Sequence, residues 1–456
     1  MTLAYQVKNP YTQESIGEFH FSSKEEIGNC LETLKKGREV QSNLRAFQRS
    51  DILRKLAGLL ETHAESLAVM ITQETGKTIA DSRVELTRAI NTTIACSEEA
   101  RQIQGEVLDS DAYAPARGRT GVVRYTPIGT VLCITPFNFP INIAMHKIGP
   151  AFAAGNRIIL KPAPINHGSA AKLVELCYEA GIAEEVLQLV VPDIDQMAGL
   201  VSHPDVNAVN FTGGHPAAEA IAAHAGYKKM LFELGGSDPL IVMPDADLNA
   251  AVNAAIQQRF ATAGQRCTAA KRLFVHQDVY KEFRDILVKA SSELVVGDPS
   301  KEETFVGPLV NEQSAIQIKD VIDQSVKMGA TIALGGQREG NIVFPTILEN
   351  VPDDSPVMSE EVFGPVIPLR EFASIDEIIP VINSSDYGLQ AGVFTHDLRT
   401  IHRLFDELDV GTLATNDGPG FRAEHFPFGG VKHSGIGREG IKYAIREMSV
   451  TKTLVL

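Results

Sequence analysis

Apolar positions in the first third of the chain recur at helical spacing. Ile52, Leu56, Leu59 and Leu60 share one helical face, and Leu86, Ile90 and Ile94 share another after Asp81-Ser82. Arg101 lies eleven residues past Ile90, which at about 100° per residue brings it within about 20° of the same apolar stripe. A guanidinium there is either a stem packed on the core with its head in water or a group held for an anionic ligand. From Gly129 the pattern changes to short β-branched runs at 130–135, 157–161, 187–191 and 206–211, with amphipathic stretches between several of them. A second series follows Gly236, with strands at 240–243 and 273–275 around a helix at 247–260. Alternation at this spacing predicts mainly parallel sheets flanked by helices, with ligands at the strand carboxyl ends.

Composition narrows the class. The 456 residues are 44% hydrophobic and 22% charged, enough for two or three globular units and unlike disordered or fibrous chains. A formal charge of -15 has the wrong sign for gripping a nucleic-acid backbone, so no nucleic-acid partner is expected. The start has no basic segment followed by an apolar run, so no secretory leader is expected. The most apolar stretch, 131–160, is broken by Asn138, Asn142, His146, Lys147 and prolines, so no membrane span is expected either. The five cysteines are odd in number, widely spaced and without a CxxC pair, which argues for a reducing cytoplasm and no metal site.

Three elements bear chemistry. Gly435-Ile-Gly437-Arg-Glu-Gly440 matches GxGxxG, but too little chain follows for a dinucleotide unit and no clear strand leads into it. A better phosphate site is Thr212-Gly213-Gly214, between the run ending at Phe211 and a helix opened by Pro216. Lys161, halted by Pro162-Ala-Pro164, ends a neighbouring strand and points its ammonium toward the same edge. The third element is distributed: Asn138 between Phe137 and Phe139, Glu233 before Leu-Gly-Gly236, and Cys267 after Gly264-Gln-Arg266. A thiolate attacks a carbonyl, an amide N–H stabilises the resulting oxyanion, and a carboxylate activates water to release a thioester.

With Leu160-Lys-Pro162, Phe211-Thr-Gly213, Glu360-Glu-Val-Phe-Gly-Pro365 and Phe426-Pro-Phe-Gly-Gly430 in the same order, these segments resemble the aldehyde dehydrogenase superfamily over nearly the whole chain. The resemblance implies an α/β fold of two doubly wound domains plus a small β oligomerisation element. Its parts would be a cofactor-binding domain (1–104 and 128–234), a catalytic domain (235–432) and an oligomerisation element (105–127 and 449–456) of a homodimer or homotetramer. It implies Cys267 as nucleophile, Glu233 as general base and Asn138 with the Cys267 N–H as oxyanion hole. Thr135, Pro136, Lys161, Pro164, Thr212, Gly213, Gly214, Leu234, Gly235, Glu361 and Phe363 would line the nicotinamide cofactor, with Lys161 and Glu361 on its riboses.

Two departures bear on the cofactor. Pro164 stands where NAD-preferring relatives often carry a Glu that repels a 2′-phosphate, and Gly214 stands where many carry Ser; the reading is NADP, with NAD close behind. Arg266, before the nucleophile, and Arg101 resemble positions in relatives that oxidise short anionic aldehydes such as phosphonoacetaldehyde, lactaldehyde, succinic semialdehyde or glyceraldehyde 3-phosphate. Both are expected to hold the substrate's anionic tail. Arg422 is a third candidate, with an ion pair to the adjacent Glu424 or His425 ranked first. The alternatives are a CoA-acylating semialdehyde dehydrogenase and, from another class, a cysteine hydrolase or acyltransferase, which would need a histidine base that none of the 12 histidines marks.

Overall fold

The computed structural model describes residues 4–109 and 112–456. Residues 1–3 and 110–111, within the expected cofactor-binding and oligomerisation stretches, lie outside the described residues. The helical periodicities resolve as Ala46–Thr62 and Ile79–Ala100, packed on each other and on the helix Pro140–Ala153. Leu53, Leu56 and Leu60 of the first and Leu86, Ala89 and Cys96 of the second share one core with these neighbours.

A six-stranded sheet runs in the order Gly435–Ile436, Lys229–Glu233, Ala208–Thr212, Thr130–Ile134, Arg157–Lys161, Leu187–Leu189. All its strands are parallel except Gly435–Ile436, which pairs antiparallel with Phe232 and Glu233. The GxGxxG segment is thus a sheet edge beside Glu233 and not a phosphate loop. The chain moves outward from Thr130–Ile134, then returns on its other side at Ala208–Thr212. That reversal opens a crevice between the two strands' carboxyl ends, where α/β sheets collect ligands. The expected strand at 187–191 is shorter because Val191 turns away to exchange hydrogen bonds with Ser22.

A second sheet of seven strands runs Thr331–Leu334, Thr346–Glu349, Val366–Phe372, Arg272–His276, Pro239–Val242, Gln390–Phe394, Thr412–Thr415. Its separate core of Leu240, Phe260, Phe274 and Ile367 marks an independent packing unit. The helix expected at 247–260 is Leu248–Phe260, capped by the Asp247 carboxylate on Ala250 N. A third, antiparallel sheet joins Ser449–Val455, Gly121–Pro127 and Glu106–Leu108, and one side of its Ser449–Val455 strand has no partner strand among the described residues. Among the described residues no helix is long and apolar enough to cross a membrane, and no group of three or more His, Cys, Asp or Glu side chains is arranged to hold a metal.

Candidate active site

Cys267, Asn138 and Glu233 come from three different segments and meet between the two large sheets. Asn138 follows the strand Thr130–Ile134 and precedes the helix Pro140–Ala153; its amide donates to Gln265 O at 2.8 Å, two residues before Cys267. Among the described residues its Oδ1 is buried without a partner, so a single bond fixes this amide to the Cys267 loop. Glu233 ends the strand Lys229–Glu233, and its carboxylate faces the Cys267 thiol. Burial, then the nearby Glu439 charge, pushes Glu233 up to about 8, and its Oε1 has no partner among the described residues. Burial and then Glu233 push the Cys267 thiol well above its ordinary value. At neutral pH both groups therefore carry their protons, and loss of the Glu233 proton creates the base.

Close backbone approach shapes this centre. A Cβ at Gly264, whose φ is +74°, would stand 2.3 Å from the Gly364 carbonyl oxygen, so the turn before Cys267 admits only glycine there. At Gly235 a Cβ would stand 2.0 Å from the Glu361 carboxylate. Lys271 ties these parts together: its ammonium donates to Gly236 O at 2.6 Å, Cys267 O at 3.0 Å and Glu361 Oε1 at 2.5 Å. No periodicity or motif marked Lys271; its position four residues after Cys267 was the only available signal.

The residues present fit a nicotinamide dinucleotide. At the crevice, the Lys161 ammonium makes no hydrogen bond or ion pair among the described residues, and burial lowers its affinity for its proton. Thr212 Oγ1 is buried without a partner among the described residues, and Gly213-Gly214 leads into the helix His215–Ala225, with Pro216 in its first turn. Thr135 N donates to Lys161 O, which sets Thr135 and Pro136 beside that lysine. Pro164 and Phe137 line a cavity of about 370 Å³ with Lys8, Val310 and Asn311. Phe363 stands edge-on to Phe137, with centroids 6.1 Å apart, and Leu234 N is held by Ser434 O. A larger cavity of about 760 Å³, by Arg49, Arg157 and Lys452, lies at the opposite, amino-terminal sheet edge and includes none of these groups.

Charge around the centre departs from expectation. Arg266 stands beside the site with its guanidinium 5.4 Å from the centre of the Phe139 ring. Arg101 does not join it. The helix stops at Ala100, so Arg101 is the C-cap and not a member of the apolar stripe; its side chain is 55% exposed and bonds Ser50 Oγ at 2.7 Å and Asp51 at 2.5 Å. At 1.5 Å per residue it lies about 30 Å from Asp81, which contacts the turn before Cys267. The arginine of this helix that does face the centre is Arg88, which sequence periodicity did not single out. Burial, then the neighbouring Arg422, lowers Arg88 to about 10; among the described residues its Nη2 is buried without a partner, and Glu424 is 3.7 Å away. Arg422 pairs with neither Glu424 nor His425 but with Glu439 at 2.7 Å, and lies over the Phe428 ring. Burial alone would raise Glu439, yet Lys147 and Arg422 outweigh it and hold Glu439 at about 2.

A half-buried thiol beside a carboxylate and an amide, next to a crevice whose residues fit a dinucleotide, is an arrangement suited to an aldehyde oxidoreductase. The chain belongs to the aldehyde dehydrogenase family, whose profile, described as "Aldehyde dehydrogenase family", matches residues 2–454. It is 63% identical, over all of both chains, to a sulfoacetaldehyde dehydrogenase of Neptuniibacter caesariensis. It is 39% identical to a 3-sulfolactaldehyde dehydrogenase of Priestia aryabhattai, covering 99% of this chain and 94% of that one. The crystal structure of the glyceraldehyde-3-phosphate dehydrogenase GapN from Methanocaldococcus jannaschii, complexed with NADP, superposes with a TM-score of 0.95 at 36% identity, covering 99% of this chain and 98% of that one.

Proposed function

We propose that this protein oxidises a short sulfonate-tailed aldehyde, sulfoacetaldehyde foremost, to its carboxylic acid with NADP, and with NAD as the weaker cofactor. The observation that carries the reading is Arg88: a buried guanidinium edge with no partner, beside Arg422 and close to Arg266. A sulfonate offers three acceptor oxygens and a permanent negative charge, which suits two or three convergent guanidiniums. The named sulfoaldehyde-oxidising relatives support the same tail. Arg101 has no part in it.

The Cys267 thiol gives up its proton to solvent, and the sulfur of the thiolate bonds to the aldehyde carbon. The oxygen's new charge is met by the Asn138 amide and the Cys267 N–H. The bound nicotinamide supplies the hydride acceptor. Glu233 then takes a proton from water, which attacks the Cys267 thioester and releases the acid. In balance, aldehyde, water and oxidised cofactor give acid, reduced cofactor and one proton. Lys161 and Glu361 would hold the riboses, Thr212 and the Gly213-Gly214 turn would hold the diphosphate, and Phe363 would pack near the ring.

The three sheets serve as cofactor-binding, catalytic and oligomerisation parts, and the open Ser449–Val455 strand with exposed Leu454 and Val455 pairs subunits in a homodimer or homotetramer. The test is nicotinamide reduction on sulfoacetaldehyde, succinic semialdehyde and propionaldehyde, with NAD and NADP in parallel and CoA added or omitted. The reading requires the sulfonate substrate to lead and CoA to make no difference. Preference for the neutral aldehyde, or dependence on CoA, overturns it.

A further inference from the structure

The helix Ile79–Ala100 meets both catalytic loops within its first two turns. Asp81 Oδ2 accepts from Thr262 N at 2.7 Å and from Thr262 Oγ1 at 3.3 Å. Thr262 and Ala263 are both left-handed, with φ of 55° and 52°, and Gly264 follows at 74°. Two consecutive side-chain-bearing residues hold that conformation only where their surroundings over-determine it. This turn delivers the chain to Gln265 and Cys267, and Gln265 O is the group that the Asn138 amide binds.

One turn further along, Glu85 Oε1 accepts from Ile141 N at 2.8 Å and Asn142 N at 3.1 Å. These are free N–H groups at the start of the helix Pro140–Ala153, whose N-cap, Phe139, follows Asn138 directly. The other Glu85 oxygen pairs with Lys77, whose ammonium lies 3.8 Å over the Phe139 ring. Glu85 and Lys77 are both buried. Asp81 and Glu85 are four residues apart and so share one face of the helix.

We propose that Asp81 and Glu85 are a positioning pair: two carboxylates on one rigid helical face, one holding the strained turn that presents Cys267 and the other the helix start that presents Asn138. The distance between nucleophile and oxyanion donor is then set by a single helical turn, although the two loops belong to different sheets. Neither carboxylate touches substrate. The inference rests on the reading of Cys267 and Asn138 as nucleophile and oxyanion donor, and it names how their alignment is fixed.

The test is a double-mutant cycle on the NADP-loaded enzyme. Asp81→Ala and Asp81→Asn are made alone and in an Asn138→Ala background, and single-turnover hydride transfer, KM for aldehyde and NADPH binding are measured. Asp81→Ala is expected to slow single turnover by about 10- to 100-fold, since small misplacements of reacting groups cost that much, with KM and NADPH affinity unchanged. Asp81→Asn, whose amide oxygen still accepts from Thr262 N, restores most of the rate. In the Asn138→Ala background the Asp81→Ala penalty shrinks below about 3-fold, because the alignment it serves is already lost. If Asp81→Ala fails to fold, Asp81→Ser, whose shorter side chain falls short of Thr262 N, carries the same cycle. An equal penalty in both backgrounds, or Asp81→Asn as slow as Asp81→Ala, overturns the proposal. Either result leaves Cys267→Ser and Asn138→Ala to judge the catalytic reading separately.

Discussion

Arg88 and Arg101 sit on one helix and differ in almost everything else. Arg88, near the middle of the helix, is surrounded by Arg422, Glu424 and Arg266 from other segments and keeps a buried N–H edge unpaired among the described residues. Arg101, at the carboxyl-terminal cap, is a solvated ion pair with Asp51. The first is costly to hold without an anion; the second satisfies itself locally. Amphipathic position therefore does not make an arginine a binding group. What does is convergence with charges brought in by segments remote in sequence, in the half of the helix where Asp81 and Glu85 also meet the catalytic loops.

That contrast can be broken or sharpened by substitution in each half. Cys267→Ser should lower kcat by roughly four orders of magnitude or more, because the nucleophile is lost outright; initial-rate assays check it. Asn138→Ala should cost about 10²- to 10³-fold in kcat, the usual effect of losing one oxyanion donor; near-wild-type turnover would remove that assignment. Arg88→Ala should reduce kcat/KM for sulfoacetaldehyde by about 10- to 150-fold, matching about 1.5 to 3 kcal/mol for a charge-assisted hydrogen bond. The same variant should leave a neutral aldehyde nearly unaffected, and an equal loss on both would erase the distinction between the two arginines.

The pH profile sharpens the same half of the helix. Where thioester hydrolysis limits the rate, turnover should rise with pH through a midpoint of about 8, since only deprotonated Glu233 can take a proton from water. Glu439→Gln removes the negative neighbour that raises Glu233, so it should move that midpoint to lower pH, read from kcat against pH; an upward move would contradict the charge assignment. Arg101→Ala should be the mildest change, with kcat/KM unaltered and stability within about 1 kcal/mol, as exposed ion pairs contribute little. Thermal denaturation and the aldehyde assay check it together.

Much of this was legible in the sequence for identifiable reasons. The end of Arg157–Lys161 was readable to the residue because an apolar run with two isoleucines stops at a proline pair. Cys267, Glu233 and Asn138 stood out because each is followed or preceded by glycine or proline that turns the chain beside it. Arg101 misled because helical arithmetic was extended past Ala100, where the helix has already ended. Arg88 was silent because its significance depends on Arg422 and Glu424, which no local pattern connects to it. Lys271 and the Asp81–Thr262 contact were hidden for the same reason: each is a tie between loops of different sheets.

The central claim is that the carbonyl carbon becomes bonded to the Cys267 sulfur and is freed by water that Glu233 activates. The direct measurement is intact-protein mass and peptide mapping of Glu233→Gln after mixing with sulfoacetaldehyde and NADP. The predicted result is a burst of NADPH equal to the sites present and one sulfoacetyl group on the peptide containing Cys267. A burst with no acyl group retained, or an acyl group on any other residue, would contradict the account.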